Sequence, residues 1–269
     1  MRLASISSGS KGNCILIENA ESTVMLDAGI SKKRIEEGLN FFHKKPEDID
    51  GIVITHEHSD HIKGLGVFLR KYNKPVYATE KTIEYILNSS SIGNVDSDLF
   101  HVVVPMKEFL IGDTQILPMH ISHDAVDPVC YKFISNLSTE DKSCAVVTDL
   151  GESNDILVNH IKDIDALLLE SNHDIGMLQT GPYPYYLKQR IWGNKGHLSN
   201  EACGDLINQI ISEKLKHIIL GHLSHENNYP ELAFQAVRNE INFGMRDFCA
   251  DDLDLKVASR NEPSSEIDF

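Results

Sequence analysis

His56-Glu57-His58-Ser59-Asp60-His61 decides how this chain is read. The hexapeptide follows the apolar run Gly51-Ile52-Val53-Ile54-Thr55 and leads directly into Ile62-Lys63-Gly64. A short β-favouring run that opens on a polar loop places the histidines at the C-terminal end of a buried strand, where α/β folds gather their chemistry. The spacing excludes the zinc-protease helix, which needs His at i and i+4 so that both rings share one face. His56 and His58 are two apart instead. In an extended loop that separation points both rings the same way, and the following turn brings Asp60 and His61 toward a second ion. A solvated His-rich loop is the bland alternative, but ligand types this dense at a strand end favour metal.

The stretch Thr55-His56-Glu57-His58-Ser59-Asp60-His61 resembles the H-x-H-x-D-H signature of the metallo-β-lactamase superfamily. The resemblance implies an α/β (α+β) chain folded as a four-layer αββα sandwich with a one- or two-metal hydrolase site. The alternation of strands and helices along the chain has the matching α/β character. One domain is expected over residues 1–243. Residues 244–269 are expected to add an edge strand around Leu253 to Ala258 and then an acidic tail that frays.

Composition narrows the classes further. The 269 residues are 41% hydrophobic and 24% charged, ordinary for a globular chain with a sizeable core. No apolar run approaches the ~20 residues needed to span a bilayer, and the N-terminus has no signal-peptide pattern, so a cytoplasmic location is expected. The five cysteines are scattered and form no Cys-x-x-Cys pair, which fits reduced thiols rather than a disulfide framework or a thiolate zinc site. A formal net charge of -15 excludes bulk electrostatic coating of nucleic acid, though not an enzyme that grips a few phosphates through metals.

Further site residues follow from strand ends. Thr23-Val24-Met25-Leu26-Asp27 ends on an acid suited to orienting metal-binding rings, so Asp27 is read as support rather than ligand. Ser122-His123-Asp124-Ala125 closes a strand and supplies a histidine for the first metal. His120 competes for that role, and the superfamily's habit of placing this ligand just past the strand favours His123. Asp149, in Thr148-Asp149-Leu150-Gly151, suits a carboxylate shared between two ions roughly 3.5–4 Å apart. Ser153 is expected to cap the helix that follows. A small echo, Gly196-His197-Leu198-Ser199 and Gly221-His222-Leu223-Ser224, splits by context. His222 follows the apolar strand Lys216 to Leu220 and completes the second metal. His197 precedes a helix capped by Ser199 and is expected to face the scissile group as a phosphate contact or proton donor.

Two segments have the composition of a nucleic-acid or phosphate contact. Ser7-Ser8-Gly9-Ser10-Lys11-Gly12-Asn13 offers backbone N–H groups, hydroxyls and a lysine, which suits a phosphate through Ser8, Lys11 and Asn13 or simply a tight hairpin. Tyr183 to Trp192 is aromatic and basic together, suited to stacking bases or to packing as a helix with a wet rim. Glu170-Ser171-Asn172-His173-Asp174 ends another buried strand and offers His173 as a substrate contact.

Those segments, with Arg190-Ile191 and both Gly-His-Leu-Ser motifs, resemble the YycJ/WalJ (VicX) branch of the superfamily, which is associated with 5′-exonuclease action on DNA. The resemblance implies that His56, His58 and His123 hold one metal and Asp60, His61 and His222 a second, with Asp149 bridging. It implies two divalent ions, zinc or manganese, activating a hydroxide for attack on a phosphodiester. Asp60 would orient the nucleophile and His197 protonate the leaving oxygen. The expected partner is therefore a DNA end. The alternative on the same dinuclear site is a hydrolase of a small ester, thioester, lactone or cyclic phosphodiester.

Overall fold

Strands that read as unbroken apolar runs must bury both faces, and alternate residues along them go to different cores. In a computed structural model, which describes residues 1–135, 142–244 and 248–269, this alternation builds a four-layer sandwich. One seven-stranded sheet holds β1 (Arg2–Ser7), β2 (Cys14–Glu18), β3 (Thr23–Leu26), β4 (Gly51–Val53), β5 (Val76–Ala78) and β6 (Phe100–Val102). The other runs in order from β7 (Phe109–Ile111), β8 (Thr114–His120), β9 (Val129–Ser135), β10 (Ser143–Val147) and β11 (Ala166–Glu170) to β12 (His217–Gly221) and β13 (Asp254–Val257). A last strand, β14 (Ser264–Asp268), returns to the first sheet and pairs with β1.

The layers can be traced residue by residue. Ile15 and Ile17 of β2 point into the core between the sheets, against Tyr131, Phe133, Val146 and Leu168 of the second sheet. Their neighbours Cys14 and Leu16 point the other way. That outer face is covered by α1 (Lys32–Phe41), α3 (Leu65–Tyr72) and α4 (Glu80–Asn88), with a one-turn helix α2 (Ser59–Ile62) before them. The outer face of the second sheet is covered by α5 (Asp155–Ile161), α8 (Asn200–Ile210) and α9 (Pro230–Phe243). Two short helices, α6 (Ile175–Thr180) and α7 (Tyr185–Trp192), lie outside this packing, and α7 has no buried residue.

Two local expectations are corrected. Asn154, not Ser153, caps α5: its side chain accepts the Leu157 N–H, as an amide one residue nearer the helix can. The C-terminus does not fray after β13. Its pattern Ser-Ser-Glu-Ile-Asp offers a single apolar residue, too little to read as a strand, yet Ile267 enters the core between the sheets at 2% exposure. The turn before it is held by Arg260, whose guanidinium donates to the carbonyls of Leu223, Ser224 and Asn228. Residues 245–247 of the expected tail segment lie outside the described residues.

The strand-end loops of the first sheet are laced together through their backbones. Asn13 N–H donates to Asp60 O (2.8 Å), Ala28 N–H to His61 O (2.8 Å), Gly29 N–H to Asn13 O (2.9 Å) and Gly64 N–H to Ala28 O (2.8 Å). Gly29 is required by this closeness, since a Cβ there would lie 1.6 Å from the Asp60 carbonyl oxygen. Gly29→Ala should therefore destabilise by at least the ~1–3 kcal/mol typical of overpacking, a fall in Tm of several degrees, and displace Asp60. Gly176→Ala, where the new methyl meets nothing nearer than 3.2 Å, is the control and should leave Tm unchanged in a thermal melt.

Candidate metal centre

The C-terminal ends of β3, β4, β10, β11 and β12 meet at one edge of the sandwich, and each delivers a polar residue there. Asp27, Asp149 and His222 leave their strands in the left-handed backbone region, with φ of 59°, 60° and 53°. Such conformations cost non-glycine residues about 1–3 kcal/mol each, and here they turn each side chain sharply from its strand into the shared space. His56, His58, Asp60 and His61 arrive from the loop after β4, and α2 carries the last two.

The side chains form overlapping groups whose ligand atoms lie within 4.8 Å of one another. These are His56–His58–His123, His56–His61–Asp149, Asp60–His61–His222 and Asp149–His197–His222. Asp149 belongs to both halves. One of its oxygens lies 3.2 Å from His61 Nε2, while the other lies 3.4 Å from His222 Nε2 and 3.7 Å from His123 Nε2. His58 Nδ1 and His123 Nε2 are 3.2 Å apart, and Asp60 is 3.4 Å from His61 Nε2.

Three of the rings, His61, His56 and His123, are aimed by a partner behind them. Asp27, fully buried, accepts the Thr55 N–H and hydroxyl, and takes His61 Nδ1–H at 2.7 Å, which turns Nε2 toward Asp149. Thr55 Oγ1 is also 3.0 Å from His56 Nδ1. His123 Nδ1 faces the Gly196 carbonyl at 3.2 Å. Such outer partners fix tautomer and orientation. The loop bearing His123 is tied down by Glu57, which accepts the Val126 N–H.

These residues suit divalent cations. His56 Nε2 and one Asp149 oxygen are buried without a hydrogen-bond partner, atoms a protein rarely leaves unpaired. Burial and the neighbouring rings hold the His56 pKa well below its ordinary value, and burial lowers that of His123, so both offer neutral lone pairs. Burial also opposes charge on His61, but Asp149, Asp27 and Asp60 outweigh it and raise that ring. Asp149 is held well below the usual carboxylate range: burial disfavours its charge, and His222 and His61 overcome that. The donor set is nitrogen and oxygen throughout.

His197 stands at the wall of a cavity of about 220 Å³ bounded also by Asp60, Asp149, His222 and Arg190. Its Nδ1 lies 2.6 Å from Glu170, a fully buried carboxylate that also accepts the Leu150 N–H. Burial works against the imidazolium, but Glu170, then Asp149 and Asp60, raise its pKa to about 9.

Ser8, Lys11, Asn13 and His173, expected from the sequence as phosphate or substrate contacts, do not line the cavity. Ser8 Oγ accepts the His222 N–H at 2.9 Å, and Asn13 accepts the Gly9 N–H while its amide meets His61 Nε2 at 3.1 Å. Both are buried braces, and neither they nor Lys11 lines the cavity, where Ser10 stands instead. His173 is also buried, its pKa lowered to about 4 by desolvation, and does not line the cavity. His120 lies at the exposed end of β8, outside the cluster. The sequence reading gave no role to Glu170 or Asp124, and took Arg190 only as part of the aromatic and basic segment Tyr183 to Trp192. Glu170 had a signal, since it is a strand-end acid like Asp27 and Asp149. Arg190 and Asp124 come from distant segments and pair at 2.5 Å only in the fold.

The sequence matches the model of the metallo-beta-lactamase superfamily over residues 8–190. It is 42% identical over 236 residues to exodeoxyribonuclease WalJ of Streptococcus pneumoniae serotype 2 (strain D39), covering 88% of this chain and 86% of that protein. It is 39% identical over 264 residues to exodeoxyribonuclease YycJ of Bacillus anthracis, covering 95% and 96%. Its fold resembles the metallo-beta-lactamase fold protein YhfI from Bacillus subtilis, with a TM-score of 0.70 over 98% of this chain and 99% of that one at 14% identity.

Two substitutions separate direct contact from orientation. Asp149→Ala should abolish nearly all activity and lower the bound metal per chain, because both halves of the cluster lose a shared anion. Asp27→Asn should weaken metal affinity by about 10–100-fold, the usual cost of losing an outer partner. Elemental analysis after dialysis against graded metal checks both, and full metal retention with unchanged turnover in Asp149→Ala would refute the central place of that carboxylate.

Proposed function

The chain belongs to the metallo-β-lactamase superfamily, and on that premise we propose that it is a metal-dependent exonuclease that hydrolyses DNA from 5′ ends. The DNA substrate rests on its relation to two exodeoxyribonucleases over most of its length. Hydrolysis of phosphodiesters in particular is supported by one observation above the rest, the His197–Glu170 pair at the cavity wall. The pair stands where a departing sugar oxygen could take a proton, and the relation to two exodeoxyribonucleases makes that oxygen one of a DNA strand.

In this reading His56, His58 and His123 would hold one divalent ion and Asp60, His61 and His222 a second, with Asp149 close enough to serve both. The imidazoles suit zinc and the carboxylates manganese. Two such ions would supply Lewis acidity, bringing the pKa of water toward neutrality and offsetting the charge of the phosphate oxygens. Asp60, a partly buried carboxylate on the cavity, accepts a hydrogen bond from the attacking water and turns its lone pair toward phosphorus. As the oxygen–phosphorus bond forms, the water's proton passes by way of Asp60 to solvent, and the bond to the deoxyribose oxygen breaks. His197 gives its proton to that oxygen from the nitrogen that Glu170 leaves available, and Glu170 keeps the ring aimed and charged. Among the described residues no helix is long and apolar enough to cross a membrane. We place the enzyme in the cytoplasm, where it meets DNA ends.

The decisive assay offers the purified chain, with manganese or zinc, 5′-labelled and 3′-labelled DNA beside RNA, an activated aryl phosphodiester and a lactone. Stepwise loss from the 5′ end of DNA is expected, and hydrolysis of the lactone alone would overturn the reading. His197→Ala should keep its metal and lose on the order of 10²–10⁴ in rate on DNA, but far less on the aryl ester, whose leaving group needs no proton. Glu170→Gln removes the main influence that raises the His197 pKa. Because the acid works only while protonated, activity should then be lost at a lower pH on the alkaline side than in the wild type, which a pH–rate profile on DNA will show.

A further inference from the structure

α7 is short, lies against the cavity and buries none of its residues. At 100° per residue its two sides carry different groups. Leu187, Arg190 and Ile191 line the cavity that holds His197 and Asp149. On the far side Tyr185, Lys188, Gln189 and Trp192, spaced i, i+3, i+4 and i+7, line a separate groove of about 440 Å³. Tyr186 lies between these sides, on the arc that joins Arg190 to Gln189. Three of the four aromatics in the segment are strongly exposed: Tyr185 at 74%, Tyr186 at 73% and Trp192 at 55%. A soluble chain ordinarily spends such side chains on a core or on a ligand.

Charge points to the ligand. The protein carries 40 acidic residues and a net charge of -15, yet no Asp or Glu occurs from Ile175 to Asn200, while Lys188, Arg190 and Lys195 fall within that stretch. Lys188 reinforces the joint to α6 by donating to the carbonyls of Gln179 and Gly181, so its charge stays beside the groove. Among the described residues Arg190 is the one Lys or Arg that lines the cavity, held at 2.5 Å by Asp124 at the junction between cavity and helix. Aromatic faces beside cations, on a helix whose other side lines the cavity and in a stretch of sequence without acids, match a single strand: bases stack on any π-face and the backbone follows positive charge.

We propose that α7 carries the single strand of DNA away from the cavity. Arg190 holds the phosphate next to the scissile one, and Tyr186, Tyr185 and Trp192 stack the bases that follow. This rests on the nuclease reading and adds a subsite to it. A strand crossing a helix ~10–12 Å thick needs several nucleotides to reach Trp192, so a dinucleotide does not use the subsite.

Trp192 is the only tryptophan in the chain and reports on its own occupancy. In the metal-loaded protein, a phosphorothioate thymidine strand of roughly 15 nucleotides, long enough for a site of ~4–16, should quench its fluorescence saturably, and dithymidylate should not. In Tyr185→Ala/Trp192→Ala the ratio of kcat/KM for the ordinary strand to that for dithymidylate should fall about 5- to 100-fold, mainly through KM. Tyr185→Phe/Trp192→Phe, which keeps the ring faces, should restore most of the ratio. A ratio unchanged in the alanine variant, or fluorescence that stays constant while the strand is cleaved, would overturn the subsite. A wild type that cleaves neither strand nor dithymidylate would instead overturn the nuclease reading beneath it.

Discussion

Everything at the active edge depends on the buried carboxylate of Asp149, set between imidazoles that come from both sheets. It is 2% exposed and lies within 3.7 Å of nitrogens on His61, His123 and His222. A carboxylate in such a place loses its hydration and is tolerated only if positive charge surrounds it closely. Protons on the rings supply that charge in part, as the raised His61 pKa and depressed Asp149 pKa record. Divalent ions supply it more fully. The site is thus a concentrated acceptor for cations first, and its chemistry grows from that.

Holding such groups together requires the backbone to accept strain and the loops to share hydrogen bonds. The left-handed turns at Asp27, Asp149 and His222 each cost energy, and the large apolar cores on either side of the strands make up for it. The loops cannot relax one at a time. Asp60 is tied to Asn13, His61 to Ala28, and His222 to Ser8, while Arg260 holds three carbonyls beyond His222. Strands β1 and β14, the first and last of the chain, thereby become part of the support for a site built mainly by β3, β4, β10 and β12.

What could be read from the sequence follows the same physics. His56 to His61, His123, Asp149 and His222 are legible because each ends an apolar strand, and strand polarity alone sends strand ends to one edge. Glu170 obeys the same rule. Ser8 and Asn13 were legible as polar loop residues but not in their task, since a hydroxyl or amide takes whatever donor the tertiary fold brings, here His222 N–H and Gly9 N–H. The pairing of Arg190 with Asp124 joins segments 66 residues apart, and no local spacing encodes it. β14 escaped because its one apolar residue acquires meaning only beside β1.

The acidic balance of the chain then becomes consistent with a polyanionic substrate. With a net charge of -15, most of the surface repels DNA, so binding cannot come from broad neutralisation of phosphates. Attraction must be local: bound cations at the strand ends, imidazolium at His197, and the acid-free stretch around α7. Such a protein loses the nonspecific affinity that lets basic nucleases coat a duplex. It keeps an affinity confined to the cavity and the helix beside it, and that suits an enzyme which takes a strand at its end.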